Sequence, residues 1–285
     1  MNVTKKITLA SGHTIPTVGL GVWQSQGAEA VQAVRWALEA GYRMIDTAKI
    51  YENEAEVGEG IRTSGIPREE IFVTTKLWNT DQGYERAFKA FDASLQRLGL
   101  EYVDLYLIHW PFNQRMSGEN FRAATWKAME EILASGRARS IGVCNYRIEH
   151  LAEMKSYAKV MPAVNQFELH PFWFRKDLMD YCHQNKIAVE AYSPLARGKH
   201  LNDERITVIA ERHNKTNAQV LLRWSLQHGN IVIPKSVRKE RIAENFAVYD
   251  FELTAEDMAA LDALNMNDSA LFGDMNEGSV PQFNP

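Results

Sequence analysis

Apolar residues in this chain follow two alternating rhythms. Short runs rich in β-branched and aromatic side chains recur at Val18–Gly21, Met44–Ala48, Phe72–Leu77, Val103–Trp110, Arg139–Asn145, Ala163–Glu168, Ala188–Ser193 and Ile231–Ser236. Their length and composition predict eight strands, and their mostly continuous apolar character predicts burial on both faces. The stretches between them carry a helical period. Tyr84, Ala87, Phe88, Phe91, Leu95 and Leu98 fall three or four residues apart, as do Val31, Val34 and Leu38, so one stripe of each helix faces inward. Another helical stretch runs from Glu54 to Thr63. Two more, Asp203–Arg212 and Asn217–Gln227, occupy the longest gap, and a final helix begins at Thr254 with Asp257 as a near capping box. Ahead of all this, Ile7–Leu9 and Thr14–Ile15 flank Ser11-Gly12 and predict a small hairpin.

Strands alternating with helices imply a parallel sheet, and eight such units in 285 residues predict a closed barrel. The expected fold class is α/β: an eight-stranded parallel (β/α) TIM barrel with an N-terminal β-hairpin and extra C-terminal helices, one domain over residues 1–285. A doubly wound open sheet would carry G-x-G-x-x-G after its first strand, and Gly19-Leu-Gly-Val-Trp-Gln24 fails at the third glycine. The tail from Asp268, rich in Gly, Asn and Pro, reads as a loop.

Composition narrows the function classes. With 45% hydrophobic and 24% charged residues the chain is that of a soluble globular protein. A formal charge of −4 without a basic cluster argues against a nucleic-acid partner. Cys144 and Cys182 form no disulfide framework and no zinc motif. Met1-Asn-Val-Thr-Lys-Lys lacks the apolar core of a signal peptide, and no run approaches the roughly 18 apolar residues of a membrane span. The expectation is a cytoplasmic protein with no membrane partner.

In a βα barrel the reacting groups lie at the C-terminal strand ends. Those ends read Trp23, Asp46, Lys76, His109 and Trp110, Asn145, Gln166, Tyr192-Ser193 and Lys235-Ser236. Asp46, Tyr51, Lys76 and His109 together make a proton-transfer group. A tyrosine has a pKa of about 10, a neighbouring lysine cation favours the phenolate and lowers it, and a carboxylate keeps that lysine charged. A histidine opposite can orient a carbonyl. The set suits general acid catalysis at a carbonyl oxygen that gains a hydride. Asp46 with Lys76 alone would equally suit a structural ion pair. His170 with Asp46 and His109 offers a weaker reading as a metal-barrel hydrolase, since no H-x-H or H-E-x-x-H pair is present. Any one of Trp23, Trp78 and Trp110 would suit core packing better, but as a set beside the donor they suit the walls of a substrate slot.

Gly41–Gly58, Thr74-Thr-Lys-Leu-Trp78, Leu107-Ile-His-Trp-Pro111, Gly142-Val-Cys-Asn145, Asn165-Gln-Phe-Glu-Leu-His-Pro171 and Ile233–Asn245 together resemble the aldo-keto reductases, from about Ile7 to Leu264. The likeness is to the short-loop microbial branch that includes diketogluconate and methylglyoxal reductases and protozoan prostaglandin F synthases. It implies NADPH bound extended, Tyr51 as proton donor, Lys76 and Asp46 tuning it, and His109 orienting the carbonyl. Tyr192 would stack on the nicotinamide, with Asn145 and Gln166 on its carboxamide and Ser193 and Leu195 along the cofactor. Lys235, Ser236 and Arg241 would clamp the 2′-phosphate, with Glu244 and Asn245 near the adenine. It further implies a monomer acting on a small carbonyl, such as a methylglyoxal-like dicarbonyl or a keto-sugar, or on prostaglandin H2. Barrels of this kind also include nucleotide-binding, non-catalytic members. Two departures stand out: Cys144 replaces a commoner Ser, and the tail lacks a Gly-Pro-Asp-Pro run.

Overall fold

The computed structural model describes residues 4–112 and 121–271. Two short strands, β1 (Lys6–Thr8) and β2 (Thr14–Pro16), pair antiparallel around Ile7 and Ile15, with Gly12 at φ 85° in the turn. Eight parallel strands follow: β3 (Leu20–Gly21), β4 (Met44–Asp46), β5 (Phe72–Leu77), β6 (Leu105–Ile108), β7 (Ile141–Cys144), β8 (Val164–Glu168), β9 (Ala188–Tyr192) and β10 (Ile231–Val232). Each pairs with the next in chain order. The ends then meet. Gly19 N donates to Val232 O at 2.9 Å, Val232 N to Thr17 O at 2.9 Å and Gly21 N to Pro234 O at 3.2 Å. Single parallel bridges at Val18–Val232 and Gly21–Lys235 complete the closure.

The helices are α1 (Gly27–Ala40), α2 (Glu54–Arg62), α3 (Tyr84–Leu98), α4 (Phe121–Ala134), α5 (Ile148–Met154), α6 (Lys176–Gln184), α7 (Glu204–His213), α8 (Asn217–Gln227), α9 (Lys239–Phe246) and α10 (Ala255–Asp262). Thr254 and Asp257 exchange side chain–backbone hydrogen bonds, both at 3.1 Å, to start α10. Among the described residues no helix is long and apolar enough to cross a membrane.

Side chains alternate between the two faces of each strand, and this divides the core. Ile45, Val73, Tyr106, Ile108, Val143, Phe167, Val189 and Val232 point outward to the helices. Met44, Phe72, Leu105, Leu107, Cys144, Val164 and Ile231 fill the barrel, together with Leu9 and Ile15 of the hairpin segment. The hairpin therefore plugs one end of the barrel. Continuing the inward parity toward the C-terminal strand ends replaces apolar residues with Asp46, Lys76, His109, Gln166, Glu190 and Tyr192.

Helix α2 lies so close to the end of α3 that a Cβ on Gly58 would overlap the Leu98 carbonyl, which already accepts from Arg62 Nη1 at 3.0 Å. Gly58→Ala is expected to destabilise the fold by about 1–3 kcal/mol or more, because backbone must move to admit the methyl. Urea denaturation measures it, and an unchanged midpoint would show that the two helices separate without cost.

Strands β3 and β10 are shorter than their expected spans. Pro234 has no N–H for a ladder, so pairing beyond Val232 falls to single bridges. The region after Pro111 and the divergent tail belong in large part to residues 113–120 and 272–285, outside the described residues.

Candidate active site

Inward-pointing polar residues at the strand ends meet beneath a channel of about 820 Å³. At its floor, Lys76 is fully buried, and its ammonium donates to Asp46 Oδ1 at 2.6 Å, Thr47 O at 3.0 Å and Tyr51 Oη at 3.3 Å. Three donors find three acceptors, so the cation is satisfied without water. Burial opposes its charge, but Asp46 and then Tyr51 more than offset this, and the Lys76 pKa moves up. The Asp46 carboxyl is pushed up by burial and held back by Lys76 and Gln166.

Tyr51 comes from the turn Lys49–Tyr51 just past β4. Asn53 holds that turn in place. Fully buried, it accepts from Thr47 Oγ1 at 2.6 Å and donates to Val22 O and Ser25 O, each at 2.8 Å. This ties the tyrosine loop to the loop that carries Trp23. Sequence reasoning passed over Asn53, whose only signal is an amide between two glutamates before a helix.

The expected lowering of the Tyr51 pKa is not observed. Burial outweighs the Lys76 cation, and the phenol is pushed up to about 12. Tyr51 therefore keeps its proton throughout the neutral range, and Lys76 acts by reducing the cost of the phenolate. Since Lys76 donates to Tyr51 Oη, the phenol's own hydrogen is directed elsewhere, and Tyr51 lines the channel. The His109 ring lies 5.7 Å from that of Tyr51, edge-on. Burial first, and then Lys76, hold His109 well below its ordinary range, as a neutral imidazole.

Gln166 Nε2 donates to Asp46 Oδ2 at 2.9 Å and to Glu190 Oε2 at 2.8 Å. Asn145, in a left-handed conformation at φ 60°, donates to His109 O at 3.0 Å and accepts from Tyr192 Oη at 2.9 Å. The Tyr192 ring is thereby pinned at the channel wall. Cys144 is fully buried, and burial raises its thiol pKa well above the usual range, so it stays neutral.

Further out, Ser193, Leu195, Lys235, Ser236, Arg241, Glu244 and Asn245 all line the same channel, as do Trp23 and Trp110. Trp78 meets His109, itself on the channel, edge-on at 5.2 Å. Arg197 also lines the channel and was missed by sequence reasoning. It lies 4.9 Å over the Trp23 ring and donates to Gln24 Oε1 at 3.3 Å. Its signal was a guanidinium two residues beyond Leu195 on the loop after β9. Burial lowers the Lys235 pKa and Arg197 adds to this, with Glu29 opposing.

The weaker hydrolase reading fares differently. His170 Nε2 lies 3.1 Å from Glu168 Oε1, and its Nδ1 accepts from Trp173 N at 3.2 Å, which occupies both ring nitrogens in the fold. Among the described residues no group of three or more His, Cys, Asp or Glu side chains could hold a metal ion.

Comparisons with known proteins match this architecture. A model of the Aldo/keto reductase family matches residues 17–266. A 9,11-endoperoxide prostaglandin H2 reductase of Trypanosoma cruzi is 51% identical over 272 residues, covering 94% of either chain. A glyoxal reductase of Bacillus subtilis is 49% identical over 263 residues, covering 92% of this chain and 93% of the relative. The crystal structure of a Bombyx mori aldo-keto reductase in complex with NADP superposes with a TM-score of 0.88 at 39% identity, over 95% of either chain.

Proposed function

The chain belongs to the aldo/keto reductase family, and on that footing we propose that it reduces a small aldehyde or ketone to the alcohol with NADPH, Tyr51 delivering the proton. The observation that carries this reading is the Lys76–Tyr51 hydrogen bond. It consumes a lone pair of the phenol oxygen and leaves its proton for the channel.

The donor set fits the nucleotide. Lys235, Ser236 and Arg241 offer a cation, a hydroxyl and a guanidinium for a dianionic phosphate. Asn145 and Gln166 offer amide groups for a carboxamide, and the pinned Tyr192 ring a flat face for a flat ring. Bound there, NADPH supplies the hydride. The protein's own work is to orient and to protonate. Neutral His109 can donate a hydrogen bond to the carbonyl oxygen without competing as a cation. As negative charge grows on that oxygen, Tyr51 gives up its proton, and the adjacent Lys76 stabilises the phenolate left behind. Asp46 holds Lys76 for this step.

The relatives named for glyoxal and for a prostaglandin endoperoxide make dicarbonyls and prostaglandin H2 the first substrates to try, with keto-sugars beside them from the sequence resemblance. The test follows NADPH absorbance with such a panel, beside simple aldehydes and ketones. Turnover preferring NADPH over NADH is expected. Arg241→Ala should raise the KM for NADPH roughly tenfold or more, as befits a charge-assisted contact of about 1.5–3 kcal/mol, and leave that for NADH nearly unchanged. NADPH binding without oxidation by any carbonyl would sink the reductase reading and favour a nucleotide-binding barrel.

A further inference from the structure

Glu190 sits in the middle of β9, inside the barrel, with no exposure to solvent. Parity along the strand makes this an interior position, and its register neighbour on β10 is Ile231. A carboxyl there is costly. One oxygen, Oε2, accepts from Gln166 Nε2 at 2.8 Å, while the other, Oε1, is buried and has no hydrogen-bond partner among the described residues. A half-satisfied carboxyl in a dry interior weakens a fold. An apolar side chain of similar size would suit the site better.

What Glu190 does have is control of an amide. Gln166 and Glu190 are register partners on adjacent strands, and Asp46 approaches Gln166 from across the barrel. The two carboxyl groups take both hydrogens of the Gln166 NH2. With its nitrogen end held this way, Gln166 has only Oε1 left to offer, and it lines the channel. A carboxamide rotates readily, and one anchor leaves its plane free to swing. Two anchors fix it.

We propose that Glu190 is a positioning residue for the nicotinamide end of the nucleotide, locking the Gln166 amide so that its carbonyl oxygen is the acceptor offered to a carboxamide N–H. This rests on the NADPH reading above. It deepens that reading by giving the orientation of one contact and the residue that sets it. Glu190 Oε2 can accept in either protonation state, so the lock works across the neutral range.

The groups that face Glu190 are Asp46 on β4, Lys76 on β5, Cys144 on β7 and Gln166 on β8. Burial first, then the Asp46 charge, push its carboxyl up to about 8, with Gln166 and Lys76 opposing. In the folded protein Glu190 therefore holds its proton over a range where the unfolded chain has lost it. Its contribution to stability is lost as pH rises from the ordinary carboxylate range to about 8, and a variant without this carboxyl lacks that loss.

The experiment compares wild type, Glu190→Met and Glu190→Gln by three readouts. These are NADPH binding from tryptophan quenching, binding of adenosine 2′,5′-bisphosphate by calorimetry, and melting temperature at pH 5.5 and 8.5. Glu190→Met is expected to bind NADPH about tenfold more weakly, the loss of one hydrogen bond's orienting effect. It should bind the adenosine bisphosphate, which has no nicotinamide, as the wild type does. Its melting temperature should be no lower. Glu190→Gln, which keeps an acceptor oxygen, should restore most of the NADPH affinity. Its gain in melting temperature over the wild type should be larger at pH 8.5 than at pH 5.5, by about 3 °C or more. Unchanged NADPH affinity in Glu190→Met, or an equal loss for both ligands, would overturn the proposal. A wild type that binds the bisphosphate but not NADPH would overturn the nucleotide reading, and this one with it.

Discussion

Tyr51→Phe is expected to lower kcat by 10²- to 10⁴-fold, the usual worth of a positioned general acid, while NADPH affinity changes little. The substitution removes one oxygen and keeps the ring. The ring's edge-on approach to His109 and its place 4.9 Å from the Lys76 ammonium both survive. What is lost is the proton, and one acceptor for Lys76, which retains Asp46 and the Thr47 carbonyl. Because burial holds the phenol near 12, the wild type should stay in its acid form to the alkaline limit of the assay. Single-turnover measurement of NADPH oxidation separates this loss from product release. A variant within tenfold of wild type would assign the proton to another group, and His109 would be the next to test.

Lys76→Met carries the second large effect, and it falls on the fold as well as on the reaction. The Asp46–Lys76 pair is almost wholly inaccessible, at 2% and 0% side-chain exposure. Removing the cation leaves a buried carboxylate with, among the described residues, the Gln166 hydrogen bond alone to offset its desolvation. Breaking such a pair costs about 3–5 kcal/mol, readable by urea denaturation. The double variant Asp46→Asn/Lys76→Met removes the stranded charge and should recover most of that stability. It should recover none of the activity, since the phenolate of Tyr51 would form with no cation beside it. If stability and turnover return together in the double variant, the pair is a structural ion pair and the proton chemistry lies elsewhere.

Asp46 and Lys76 were legible in the sequence because barrel geometry converts a strand end into an address, and Tyr51 because it stands on the loop between them. A polar group that closes a buried apolar run has one place to go. Their spacing along the chain, Asp46 to Tyr51 and on to Lys76, follows from one strand, one loop and the next strand. The energetic balance was not legible. Strand order puts a lysine near a tyrosine, but the sign of the phenol's shift depends on how much water reaches it, and burial won. Glu190 escaped for a different reason. Within Ala188-Val-Glu-Ala-Tyr192 the alternation is weak, because Val189 and Ala191 face the helices and are as apolar as a core strand requires. Nothing local says that the acid is the residue facing in. The edge-on contact of Trp78 with His109 is a matter of side-chain direction that strand position alone does not determine. Arg197, in a left-handed conformation on its loop, depends in the same way on backbone that no periodicity describes.

The way the barrel closes has a consequence for how the chain is made. Strand β3 leaves the ribosome well before its second partner, β10, which follows more than two hundred residues later. At roughly 5–20 residues per second the growing chain spends about 10–40 s with one side of β3 unpaired. An open strand edge invites a neighbouring nascent chain to add to it. Here that edge is two residues long, which gives a stray strand almost nothing to grip. The brevity that makes β3 hard to delimit in the sequence also protects the protein on the polysome, where copies of the same unfinished sheet stand side by side.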